Sequence, residues 1–382
     1  MNEKTVGIVT FHFSKNYGSA LQCYALYKTL LLNGYKPKVI DYCPSYHTLP
    51  YNTYNSLHDY YENRGDNSFT YVLLRFIKRN VVGFFKTDKR RKNKKFLKFL
   101  SDNLKLTKPY KYVMSIDDAF DIYISGSDQI WNYKCVKDKE YGGVYDKAYF
   151  LAFAIKKKKI AYAVSAQHGE IRTDLDHDVL SLIEDYNYIF TREEALSNTL
   201  HQLGRTDATT VLDPTLLLEK TFYESVEASL PKIKADYILV YNLPGANSSL
   251  LKTIVKKVAA QTGYKIIDIS PSPYADLNSQ KIKSCGPAEF LTYVHNAKHI
   301  LTDSFHCIAF ALIYQKNFNC VLKEKNDERI KNILNLCGLN EKLVESLENE
   351  ITLEKINYEL VWNKIEAERQ KSIDLLLNAL EN

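Results

Sequence analysis

Thr302-Asp303-Ser304-Phe305-His306-Cys307-Ile308-Ala309-Phe310-Ala311-Leu312 is the stretch whose reading decides the fold. It follows the short apolar run His299-Ile300-Leu301 and leads into small and apolar residues that suit a helix. The pattern predicts a strand end, a polar turn and a helix start. Asp303, Ser304 and His306 then sit at the carboxyl edge of a strand, where α/β proteins bind ligands. A second run, Tyr123 to Asn132 (YISGSDQIWN), has the same form in the other half of the chain. Two strand-to-turn sites, one per half, predict a cleft between two α/β domains.

Working outward, Val6 to Phe11 reads as a strand ending in the loop Phe13-Ser14-Lys15-Asn16-Tyr17-Gly18. From Ser19, apolar residues recur at helical spacing through Leu31, and Asn33-Gly34 closes the helix. Lys38 to Asp41 is the next strand, which completes a βαβ unit. The unit lacks a GxGxxG fingerprint, so it implies no dinucleotide. Residues 45 to about 115 read as an insertion, tyrosine-rich at first, then basic and helical. Strands resume at Asp121–Ser125, Ile160–Ser165 and Tyr188–Thr191. Leu212-Asp213-Pro214 breaks the pattern, and the junction falls between about 212 and 235. The expected domains are 1–218 and 219–382.

In the second half, Tyr237–Tyr241, Lys265–Ile269, His299–Thr302 and Phe318–Leu322 read as strands. Helices are expected over Leu250–Thr262, Pro287–Asn296, Asp327–Leu336 and Tyr358–Leu380. The last helix either caps the second domain or runs back across the cleft.

At 382 residues the chain is too long for one ordinary core. Its seven cysteines are scattered, with no CxxC pair and no Cys/His spacing suited to zinc, so no metal is expected. An odd count without a framework fits reduced thiols, and the expected location is cytoplasmic. No apolar run is long enough to span a bilayer. The net charge of +6 is concentrated in Lys86–Lys98. That segment is a solvated helical face, or a peripheral patch for anionic lipid headgroups or a lipid-linked substrate. No motif for nucleic acid is present.

Several segments together resemble the polysaccharide pyruvyl transferase family. They are 7–26 (GIVTFHFSKNYGSALQCYAL), 38–42 (KVIDY), 123–132 (YISGSDQIWN) and 160–169 (IAYAVSAQHG). In the second half of the series come 190–196 (FTREEAL), 211–218 (VLDPTLLL), 237–243 (YILVYNL) and 297–312 (AKHILTDSFHCIAFAL). The resemblance implies two Rossmann-like domains facing a central cleft, similar to GT-B glycosyltransferases. It also implies transfer of pyruvate from phosphoenolpyruvate onto a sugar as a ketal, without a cofactor. Alternatives of other classes are a GT-B-like glycosyltransferase using a nucleotide sugar and a non-catalytic carbohydrate-binding relative.

Ketal formation needs a proton delivered to the methylene carbon, and cations or oriented donors for a carboxylate and a phosphate. His306 suits the acid/base role because imidazole titrates near neutrality. The resemblance implies a similar role, and it implies that Arg192 binds the donor's anionic groups. Arginine's planar fork fits a carboxylate or phosphate. Ser304 and Phe305 open the helix whose amides suit a phosphate, although some family members carry arginine where this chain has Ser304. Asp303 reads as the cap of that helix.

Asn16, Tyr17, Gly18 and Gln22 are acceptor-side candidates, since amides and an aromatic ring can grip a sugar. Ser127, Asp128 and Gln129 lie on the second strand-end loop. Asp128 either deprotonates the acceptor hydroxyl or caps the next helix. His168 and Asn242, each after a strand, are further cleft candidates. His12 reads as a buried, satisfied histidine and Trp131 as packing.

Overall fold

The structure, a computed structural model, describes residues 4–44, 87–117, 119–138, 143–231, 233, 235–243, 248–271, 278–322, 327–349 and 351–382. The first sheet holds six parallel strands: β1 (Thr5–Val9), β2 (Lys36–Val39), β3 (Ile122–Asp128), β4 (Lys158–Val164), β5 (Tyr188–Thr191) and β6 (Thr209–Thr210). Their order is β2-β1-β3-β4-β5-β6. The second sheet holds β7 (Tyr237–Tyr241), β8 (Lys265–Asp268), β9 (Gln280–Lys281), β10 (His299–Thr302), β11 (Asn317–Val321) and β12 (Leu343–Val344), also parallel. Its order is β9-β8-β7-β10-β11-β12, that of a dinucleotide-binding fold. Central strands such as β3, β7 and β10 are buried along their whole length. This is why they read as continuous apolar runs rather than alternating ones.

Leu106 and Tyr110 bridge in parallel to Val39 and Tyr42 beside β2. The tail of the expected insertion therefore extends the first sheet at its edge. Lys86 and the tyrosine-rich stretch 45–85 lie outside the described residues. The helix that follows, α2 (Thr87–Asn103), buries Phe96, Phe99 and Leu100. Tyr17, the first residue of α1 (Tyr17–Leu32), stacks between Phe96 at 5.6 Å and Phe290 at 4.7 Å. Phe290 belongs to α5 (Pro287–Asn296) of the second domain, and Lys95 pairs with Glu289 there at 2.6 Å. Phe96, Phe99 and Leu100, which an interfacial helix would insert into lipid, are thus spent inside the protein, while Leu97 stays exposed among the basic residues.

Three other helices matter to the site: α3 (Glu194–Gln202), α4 (Ser248–Thr262) beside the second sheet, and α6 (Phe305–Ile313), whose nine residues are all buried. Beyond α7 (Glu328–Cys337) lies the long α8 (Tyr358–Glu381), which runs back to the first domain. Arg369 Nε donates to Leu216 O at 2.8 Å, the Leu212 amide donates to Ser372 Oγ at 3.0 Å, and Lys4 and Lys158 donate to Leu380 O. These bonds clamp the two Rossmann-like domains about their cleft. Among the described residues, no helix is long and apolar enough to cross a membrane.

Candidate active site

Each sheet reverses its strand order once, between β1 and β3 in the first and between β7 and β10 in the second. Side-chain chemistry gathers at the carboxyl ends of these strands, as expected for open α/β sheets.

On the first domain, Asn16 caps α1 by accepting from the Gly18 amide at 2.9 Å. Ser19 follows in the first turn, and its hydroxyl donates to Asp128 Oδ2 at 2.6 Å. Asp128 closes β3 with φ +83, a left-handed conformation that is costly for a residue with a Cβ and is concentrated at functional sites. It does not cap the next helix as one sequence reading allows. Asn132 does that by accepting from the Lys134 amide, while Asp128 Oδ1 accepts from the Gln129 amide at 2.9 Å. Asn132 also reaches the side chain of Gln129.

Gln22 is fully buried. Its amide donates to Thr10 Oγ1 and Ser19 O and accepts from the Ser127 amide, so it ties three loops together from behind. Ser127 Oγ donates to Ala163 O and to Asp213 Oδ2.

Arg192 leaves the end of β5 and is buried. Its Nη1 donates to Asp213 Oδ2 at 2.9 Å, its Nη2 stands 3.7 Å from Asp128 Oδ1, and its guanidinium lies 5.0 Å over the Phe305 ring. Among the described residues, Nε and Nη2 have no hydrogen-bond partner. Buried charged donors left open are costly, and they suit an incoming carboxylate or phosphate.

On the second domain, Ser304 rather than Asp303 caps α6. Ser304 has the extended backbone a cap needs, and its Oγ accepts from the Cys307 amide at 3.4 Å. Asp303 instead accepts from the Leu243 amide at 2.7 Å, which holds the loop after β7. As the second residue of α6, His306 places Nε2 3.5 Å from Asp213 Oδ2. Its other ring nitrogen faces Gly18, where a Cβ would lie 2.1 Å away.

Asp213 therefore joins the halves, taking Arg192 and Ser127 from the first domain and facing His306 from the second. Burial pushes its carboxyl up, but the His306 and Arg192 charges override this and hold it well below the usual carboxylate range. Asp128 is treated alike: burial opposes ionisation, and Arg192, His306 and the Ser19 hydroxyl outweigh it.

Arg192 and Asp213 open onto a cavity of about 510 Å³ between the domains. Phe305, Arg329 and Asn332 line it from the second domain, and Lys371 lines it from α8. In the sequence, Arg329 and Asp213 carry no signal of a site role. Asp213 was visible there only as a pattern break, and Arg329 is one charge on an amphipathic helix. Tyr17 is locked in the interdomain stack. His168 is exposed on the turn after β4 and lies outside the cavity lining. Asn242 is buried at the end of β7, with Oδ1 unpartnered among the described residues. His12 is buried and pairs with Asp41 at 2.9 Å, and Trp131 is fully buried against Phe150. No group of three His, Cys, Asp or Glu side chains among the described residues is placed to hold a metal ion.

Among solved structures, the chain is similar to a UDP-GlcNAc 2-epimerase from Rickettsia bellii, at 12% identity over 98% of each chain with a TM-score of 0.47. It is also similar to the Methanocaldococcus jannaschii UDP-GlcNAc 2-epimerase, at 14% identity over 98% of each chain and a TM-score of 0.43. The calicheamicin glycosyltransferase CalG4 is similar at 11% identity, over 100% of this chain and 99% of that one, with a TM-score of 0.38. No curated protein matches the chain in sequence. Residues 16–322, which carry both strand-end sites, match the profile of the polysaccharide pyruvyl transferase family, and the chain belongs to that family.

Proposed function

We propose that the protein transfers the pyruvyl unit of phosphoenolpyruvate onto two hydroxyls of one sugar in a surface polysaccharide or its lipid-linked precursor. The observation that carries this reading is the shared carboxylate of Asp213. It holds the guanidinium, whose open donors line the cavity, and it faces the imidazole, which stands behind Asp213 and is not among the lining residues.

Arg192 grips the donor's anionic groups through Nε and Nη2. Ser304 is spent on its helix cap, so Arg329, which lines the cavity from the second domain and is held there by Asp327 at 2.9 Å, supplies the second cation. His306 delivers a proton to the methylene carbon, and positive charge develops at the central carbon. A sugar hydroxyl adds there and gives up its proton, with Asp128 as the base. The carbon–oxygen bond to phosphate then breaks, the second hydroxyl adds, and its proton leaves with the phosphate. Donor and acceptor thus become ketal and inorganic phosphate, and no step calls for a metal or nucleotide. Any contact of α2 with a membrane is mainly electrostatic, because Phe96, Phe99 and Leu100 are buried and only Leu97 of its large apolar side chains is exposed.

Incubation with phosphoenolpyruvate and a panel of sugars, read by mass and phosphate release, tests the proposal. A pyruvate ketal with stoichiometric phosphate supports it. Thermal stabilisation by a nucleotide sugar, with none by phosphoenolpyruvate, overturns it.

A further inference from the structure

Glu193 is a buried acid that the chemistry above leaves unused. It follows Arg192 at the end of β5 and is 1% exposed. Arg192 turns to Asp213 and the cavity, whereas Glu193 turns to the neighbouring strand. Its Oε1 accepts from the Ser165 hydroxyl at 2.8 Å and from the Ala166 amide at 2.9 Å, on the turn after β4. That turn packs tightly on the start of α3, where a Cβ on Gly169 would stand 2.5 Å from the Ala195 backbone. The Ser165 amide donates to Asp128 O at 3.1 Å, and Ser165 O accepts from the Trp131 amide at 3.2 Å. One carboxylate oxygen therefore holds the residue that brackets the loop bearing Asp128.

The left-handed backbone of Asp128 persists only where its surroundings over-determine it. Its carbonyl accepts from the Ile130 amide within the loop and from the Ser165 amide outside it. Its carboxylate accepts from the Gln129 amide and the Ser19 hydroxyl. A base that takes up a proton during turnover gives up part of that acceptor capacity. The bond from Ser165 is then what holds the loop from outside.

We propose that Glu193 is a positioning residue: through Ser165 it locks the main chain of Asp128, so that the carboxylate stays beside Arg192 while it takes a proton from substrate. The reaction it serves rests on the pyruvyl-transfer reading; the link from Glu193 to Asp128 does not. Glu193 Oε2 has no hydrogen-bond partner among the described residues. Burial also pushes this carboxyl up, toward the neutral form that glutamine copies, against the charges of Arg192 and Arg329. Glutamine should therefore do the same work.

The test compares Glu193→Leu, Glu193→Gln and Ser165→Ala in the full chain. With phosphoenolpyruvate and the panel of sugars, Glu193→Leu should lower kcat more than tenfold and leave KM for phosphoenolpyruvate close to the parent's. The charges that face Asp128 are Arg192, His306 and Arg329. A carboxylate displaced from them titrates higher, so the acid limb of the kcat profile should move to higher pH. Ser165→Ala keeps the Ala166 bond and should show both changes in smaller measure, which answers for a Glu193→Leu chain that fails to fold. Glu193→Gln should restore kcat and the limb. A fall in kcat with an unmoved limb, or a Gln variant as impaired as Leu, overturns the inference.

Crystal structures of the parent and of whichever variant melts cooperatively give a readout that needs no reaction. Asp128 should leave its left-handed conformation in the variant; a φ still near +83 overturns the inference. Displacement of Asp128, with no consumption of phosphoenolpyruvate by the parent, removes the pyruvyl-transfer reading and leaves the positioning role standing.

Discussion

Gly18 and His306 meet across the domain boundary so closely that a Cβ on Gly18 would stand 2.1 Å from His306 Nδ1. The φ of Gly18 does not require glycine; the imidazole of the other domain does. An α1 start with any side chain here would push the ring away from Asp213. The Gly18→Ala variant should therefore lower kcat more than tenfold and cost about 1–3 kcal/mol of stability through overpacking. Parental turnover with an unmoved His306 would show that the contact has no functional weight.

His306→Asn should slow phosphate release by about 10²–10⁴-fold, the usual contribution of a general acid or base. Affinity for phosphoenolpyruvate should change much less, since Arg192 carries the anion. Stopped-flow phosphate detection separates the two quantities. Turnover near the parent's removes His306 from the chemistry.

Asp213→Asn should be the most destabilising of the site substitutions. It leaves a buried guanidinium without its counter-charge, a change that costs about 3–5 kcal/mol in comparable buried pairs. Because the Asp213 carboxyl is held low, its contribution is fully present above the ordinary carboxylate range. It is lost progressively as pH falls below the ordinary value of 3.8 toward the lower folded one. Denaturant melts of parent and variant should therefore show the full gap at pH 7 and a smaller one at pH 3.

Lys15→Met should raise the melting temperature at pH 7. The folded ammonium titrates at about 8 against an ordinary 10.5. The unfolded chain then binds more protons between those values, and parental stability rises with pH across that window. The variant's advantage should shrink from pH 8 upward and vanish above 10.5. A gain that stays constant with pH would mean packing, not charge, is responsible.

Arg329→Ala and Ser304→Ala should separate donor binding from helix capping. The first should raise KM for phosphoenolpyruvate at least tenfold and also lower stability, because it leaves the largely buried Asp327 without its ion-pair partner. The second should cost about 1 kcal/mol as a lost N-cap, with a smaller effect on KM. The reverse pattern would return the anion site to the amides of α6.

Much of the architecture was legible in the sequence, because buried parallel strands announce themselves as apolar runs. Tyr188–Thr191, Tyr237–Tyr241 and His299–Thr302 were read to their ends. The two-residue edge strands β6, β9 and β12 carry no such signal. Chemically distinctive residues at strand ends, His306, Arg192 and Asp128, also stood out. Asp303 and Ser304 exchanged roles because either side chain can cap a helix. Only the observed backbone, with Asp303 turned toward Leu243, separates them.

By itself the sequence determined the βα rhythm, the two strand-end loops and the family's ordered motifs, all of which depend on neighbours a few residues apart. Tertiary structure alone decided which side chains face one another: Asp213 between Arg192 and His306, Gly18 under the imidazole, Arg329 across the cavity and Lys92 over Tyr17. Those pairings join residues from 21 to nearly 300 positions apart. Local periodicity says nothing about such separations, because they are set by how two domains and a returning helix close on each other.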